Sequence, residues 1–249
     1  MTTTRRDGAP QPVGDRPAGE RPTGDTADTV ELLGLVAHLE HTAFVRLASD
    51  SAIAPTVEQR LALSRFAAAA VQRRDRVLAR IVELGGDPEA ALRQFDDVLT
   101  DFDARTQPST WWERLLKAYV GYGVADDFCR LVAEGLDERS REIVLEVLDD
   151  ASHADLAVTE LDAAGSDDGV LTSRLALWGR RLVGEALGVV QGLLTQRPGL
   201  TRLLARSDAR AAEAAGKPTP TAPANGPGKV FGELTAQHTR RMSRLGLTP

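Results

Sequence analysis

The chain has 249 residues and a mass of 26.7 kDa, enough for one sizeable core with tails or at most two small domains. A net charge of -6 and a pI near 5.3 exclude a generally basic, non-specific nucleic-acid binder. The single cysteine, Cys129, excludes an internal disulfide and a cysteine-based zinc site. An excess of Ala, Leu and Arg, with 4% aromatic residues and few β-branched runs, points to an all-α protein.

Residues 1–27 are dominated by Gly, Pro, Thr, Asp and Arg and are expected to be a disordered tail. A first helix is predicted from Asp28, with Glu31 completing a capping box and a stripe of Leu33, Val36, Glu40, Phe44 and Leu47. Thr56 and Gln59 cap a second helix, whose stripe runs Leu63, Phe66, Ala70, Arg73, Val77 and Leu84 before Gly85-Gly86 ends it. Asp87-Pro88 opens a shorter helix carrying Leu92, Phe95, Val98 and Phe102. Thr110 and Glu113 cap the next long helix, with Trp112, Leu115, Tyr119, Tyr122, Asp126 and Cys129 inward. Gly121 and Gly123 weaken that helix and make sense where a neighbour approaches closely. One further helix is read from Asp137 through Val147, Asp150, Ala154 and Leu161, with His153 beside its stripe. A last long one covers about residues 170–195.

The predicted organisation is a bundle over residues 28–197, a short helical extension over 198–214 and a flexible Pro/Gly/Ala linker over 215–229. A C-terminal helix over residues 230–249 then docks back through Val230, Phe231, Leu234, His238, Met242 and Leu245. No charged leader precedes an apolar run, and no apolar stretch of about 18 residues occurs. A cytoplasmic protein with no membrane contact is expected. The arginine pairs at 73–74, 180–181 and 240–241 read as solvated helix faces.

Asp150 and His153 are a carboxylate and an imidazole at i, i+3 on one helix, and Glu40 occupies a core position on another. Di-iron four-helix bundles draw one carboxylate from each of two helices and a carboxylate-x-x-His pair from each of the other two. Half of that pattern is therefore present. The helix that should carry the second pair has Ala70 and Arg73 instead. His38 and His41 read as surface residues, His238 as structural, and Glu185 as the i, i+4 partner of Arg181. No phosphate-binding glycine loop, Ser/His/Asp nucleophile or zinc spacing occurs, and no catalytic or cofactor-binding residue is assigned.

The stretches LLGLVAHLEHTAFVRLASDSAIAPT, ERLLKAYVGYGVADDF, VLEVLDDASHADLAV and SRLALWGRRLVGEAL, and the ending AQHTRRMSRLGL, resemble a bacterial ferritin-like family. That family is related to the MiaE-like hydroxylases of methylthio-isopentenyl-adenosine in tRNA. The resemblance implies a ferritin-like four-helix bundle with additional helices. It also implies a di-iron site of Glu on the first helix, Glu-x-x-His on the second, an acid on the third and Asp-x-x-His on the fourth. Glu40, Asp150 and His153 match these positions, and Ala70 and Arg73 do not. The third-helix acid falls on Tyr122, with Asp126 or Asp127 one turn away as substitutes.

Arginine stays protonated in proteins, so Arg73 repels metal and takes up carboxylates. Three readings remain open at this point. One is a degenerate, metal-free remnant in which Arg73 pairs with Glu40 and Asp150. The second is a single metal on Glu40, Asp126, Asp150 and His153, and the third is a complete di-iron site with other ligands. The first implies no cofactor and a non-catalytic scaffold or interaction role, with a protein partner or a second copy of the chain. The alternative is an iron-dependent hydroxylase acting on a modified tRNA base or another small substrate. A bundle holding a small apolar ligand where metals once sat is a further possibility.

Overall fold

The computed structural model describes residues 24–149, 152–166, 168–216 and 227–249. Every regular element among them is helical. α1 spans Gly24–Ile53 and α2 Val57–Glu83, joined as an antiparallel hairpin. α3 (Pro88–Arg93) and α4 (Thr100–Arg105) are short. α5 (Trp111–Leu116) runs through a π-helical segment, Lys117–Gly121, into α6 (Tyr122–Ala133). α7 (Glu138–Leu148) and α8 (Ser152–Gly165) form the fourth side of the bundle, followed by α9 (Gly169–Gln196), α10 (Pro198–Ala214) and α11 (Pro227–Arg244). α1, α2, α7 and α6 pack as a ring of neighbours, with α9 and α11 laid against α6 and the π segment.

Local chemistry accounts for the helix ends. Thr56 accepts from the Gln59 amide at 3.1 Å while the Gln59 side chain accepts from the Thr56 amide, a complete capping box. Asp137 and Thr110 cap α7 and α5 through the amides of Ser140 and Glu113. Gly85, at φ 76°, takes the left-handed conformation that ends α2.

Several expectations are corrected. α1 begins at Gly24, so Asp28 lies inside the helix rather than capping it. Asp28 is 2% exposed and accepts from Arg202 Nε at 2.9 Å and Arg206 Nη2 at 3.2 Å, tying α10 to α1. The single helix predicted after Asp87 is two short helices, because residues 94–99 form turns. The helix predicted from Asp137 to Leu161 is described in two parts, α7 capped at Asp149 and α8 starting at Ser152. Asp150 lies outside the described residues, as do residues 1–23 of the N-terminal tail and 217–226 of the linker. Arg241 points inward rather than into solvent, whereas Arg73 lies inward as its place on the stripe of the second helix implies. No helix among the described residues is long and apolar enough to cross a membrane.

The two weak points in the third bundle helix have the cause their sequence suggests. A methyl at Gly121 would stand 2.9 Å from the Phe102 ring, and one at Gly123 would stand 2.8 Å from the Arg241 guanidinium. Arg241 comes from α11, whose Val230, Leu234, His238 and Met242 are buried, as is Leu245 just beyond its end. Neither ring nitrogen of His238 has a hydrogen-bond partner. Burial, reinforced by the Arg241 charge, lowers its pKa below 6.5. The unfolded chain therefore takes up this proton first, and the stability that the neutral ring contributes is lost as pH falls below 6.5. Thermal melts from pH 7.5 to 5 should show a smaller acid loss for His238→Leu than for the parent. Identical slopes would exclude His238 as a source of acid sensitivity.

Candidate functional site

The hydrophobic core is interrupted at one level of the bundle. Along α1 the main cluster ends at Leu39, and a second, smaller cluster starts with Ala43, Phe44 and Leu47. Along α2 the second cluster ends at Ala67 and the main one resumes at Val77. Glu40, Ala70 and Arg73 lie in the gap. Ala70 is fully buried and offers only a methyl group.

Arg73 reaches across the hairpin and places Nε and Nη2 each 2.9 Å from Glu40 Oε2. The two side chains are 13% and 10% exposed, so the pair is largely desolvated. Charged groups survive there because each neutralises the other. A charge-assisted hydrogen bond from guanidinium to carboxylate is about twice as strong as a neutral one.

A cavity opens beside this pair, lined by Glu40, Arg46, Arg73, Tyr122, Asp126 and His153 among others. The space open to the centres of water molecules is about 40 Å³, room for a few waters. Glu40, Arg73, Tyr122, Asp126 and His153, scattered over more than a hundred positions, thus meet at one place.

Tyr122 is turned partly away from the cavity. Its hydroxyl donates to Asp103 Oδ1 at 2.9 Å, its ring meets Phe102 edge-on, and the Arg46 guanidinium covers it at 4.8 Å. Burial, with the Asp103 carboxylate adding to it, raises the phenol well above the ordinary tyrosine range. Lys117, in the π segment, also holds Asp103 at 2.7 Å. The choice between the two third-helix acids is settled by geometry. Asp126 lines the cavity, whereas Asp127 is buried away from it and clamped by both terminal nitrogens of Arg241. Burial pushes Asp126 up to about 6. Arg241 opposes the shift, the Asp127 carboxylate adds to it, and Arg130 and Arg46 pull the other way.

Among the described residues, no three of His, Cys, Asp and Glu are grouped so that they could hold a metal ion. Two irons need several anionic oxygens plus imidazoles. Here a guanidinium sits on Glu40, Ala70 offers only a methyl group, and the Tyr122 phenol is committed to Asp103. Among the described residues, this donor set does not fit a di-iron group.

Three other readings change. His38 is buried, not at the surface; burial lowers its pKa, and its Nδ1 has no hydrogen-bond partner. His41 is half-buried and lies 3.3 Å from Arg74 Nη1. Glu185 pairs with Arg105 at 3.4 Å rather than with Arg181, which lies over the Trp178 ring. Two features escaped sequence reasoning. Arg46 lies six residues beyond Glu40, roughly 120° away around the helix, so only its long side chain brings it to the cavity, and no periodicity marks it. The π segment, a feature frequent at functional sites, has no periodicity of its own in five residues.

Residues 25–207 match a family described as a ferritin-like domain of actinomycetes. No curated protein matches the chain.

Proposed function

The chain belongs to that ferritin-like family of actinomycetes, and we propose that it is a member without catalytic function. In this reading it has exchanged its metal centre for an internal ion pair and serves as a scaffold for a protein partner or a second copy of itself. The observation that carries the reading is the Arg73–Glu40 pair at 2.9 Å, which puts a permanent positive charge on the one first-helix carboxylate that a metal would need. The resemblance of these strings to a family related to the MiaE-like tRNA hydroxylases supports descent from an iron-dependent hydroxylase. The loss of the Glu-x-x-His pair at Ala70 and Arg73 argues against retention of that reaction, and with it against tRNA as a substrate.

The test is metal analysis of protein purified from iron-supplemented cells, together with its absorption after aerobic reconstitution. Iron well below one per chain and no oxo-bridged absorption are expected. Two tightly bound irons per chain would overturn the proposal and restore the hydroxylase reading.

A further inference from the structure

One face of α9 lies open from end to end. From Val170 to Thr195, the residues at alternating steps of four and three are all exposed. That spacing is the seam along which two helices pack side by side. Two large apolar side chains stand exposed on its first half, Val170 at 72% and Leu177 at 62%. Gly184 and Gly188 stand at its middle, where an added methyl group would meet nothing within 4 Å. Glycine weakens an exposed helix. Here it leaves room for a second backbone to come close.

The same face is divided by charge. Arg181 is exposed, lies over the Trp178 ring and makes no ion pair among the described residues. Beside the second half of α9, a groove against α4 offers about 500 Å³ to the centres of water molecules. Asp96 and Asp97 line this groove and are exposed. Neither carboxylate has a hydrogen bond or ion pair among the described residues. The contacts of Arg105 with Glu185 at 3.4 Å and of Arg197 with Gln94 at 3.1 Å bracket the two acids. They therefore lie level with the turn of α9 around Gly192. A free cation thus occupies one half of the face, and free anions flank the other.

We propose that two copies of the chain associate through this face, with their α9 helices antiparallel about a two-fold axis between Gly184 and Gly188. Residues equally far from such an axis fall level with one another. Arg181 of one copy is then level with Gln191 of the other, within a helical turn of Asp96 and Asp97, and the contact repeats across the axis. Leu177 of each copy falls level with Thr195 of the other. A parallel pairing would set arginine on arginine and acid on acid. A partner of one charge sign would be repelled by one half of the face. A second copy, reversed, meets neither penalty. This inference names the surface for the second copy in the scaffold reading and rests on that reading for its purpose; the contact itself does not involve the metal positions.

The test is sedimentation velocity of the full chain over a concentration series, on a preparation whose iron content is measured. A particle of two 26.7 kDa chains is expected, and raising the salt should weaken it. Gly188→Arg removes a helix-weakening residue and places its side chain in open space, so the fold is kept. It should weaken association at least about tenfold, by blocking the close approach and adding a cation on each side of the axis. Arg181→Glu and Asp97→Arg should each weaken association at least about threefold. Their combination should recover part of the loss, because the reversed charges meet again across the axis. Circular dichroism establishes that each variant is folded. A chain that stays monomeric at millimolar concentration, or a dimer that Gly188→Arg or Arg181→Glu leaves unchanged, would overturn the proposal. Two irons per chain in a dimer that Gly188→Arg dissociates would overturn only the scaffold reading; an iron-free chain that stays monomeric would overturn only the α9 contact.

Discussion

Arg73→Ala is expected to destabilise the protein by about 3–5 kcal/mol, because it strands Glu40 as a desolvated carboxylate without its cation. The cost arises from breaking one side of the pair, not from the net worth of the pair. Replacing both residues together, as Arg73→Leu with Glu40→Leu, should therefore recover most of the loss, since the apolar pair would join the two core clusters that now stop on either side. Urea denaturation of the single and double variants measures both effects. A single-variant loss within about 0.5 kcal/mol of zero would mark Arg73 as an ordinary surface residue. The same position gives a gain-of-function test. Arg73→His with Ala70→Glu rebuilds a carboxylate-x-x-His pair facing Glu40, and iron uptake should rise above that of the parent.

Arg241→Ala should have an effect of similar size, about 3–5 kcal/mol, with a different signature. Arg241 carries the ion pair by which α11 holds α6, and its partner Asp127 has a side chain only 10% exposed. Without Arg241, Asp127 is a buried carboxylate next to Asp126, and the strongest influence holding the Asp126 pKa down is gone. The Asp126 titration should move above 6, readable by carboxyl-carbon NMR. Limited proteolysis should release α11 from the variant and spare it in the parent. If α11 stays protected and the melting temperature is unchanged, the clamp contributes nothing beyond packing. Asp127→Asn leaves a neutral acceptor for Arg241 and should cost less than Arg241→Ala.

The helical fold was legible because its cause is periodic. Stripes such as Leu63, Ala70 and Val77 recur at helical spacing, and caps such as Thr56 with Gln59 act within three residues of each other. Glu40 and Arg73 stood out for the same reason: a charge in an apolar stripe is visible in one dimension, and counting from the short hairpin turn set Glu40 level with Ala70, one turn from Arg73. The sequence alone thus determined the all-α class, the capped ends of α2, α5 and α7, and the close approaches at Gly121 and Gly123, and it offered the meeting of Arg73 with Glu40 as one of three readings. Only the tertiary structure decided which of two adjacent acids faces the cavity, because Asp127 is turned away by an arginine 114 positions later in the chain. It also decided that Arg46 joins the site, that Tyr122 spends its hydroxyl on Asp103, and that Asp28 binds α10 instead of starting α1. Each of these depends on a charge or hydrogen bond supplied by a distant helix, and side-chain partnerships of that kind leave no period in the sequence.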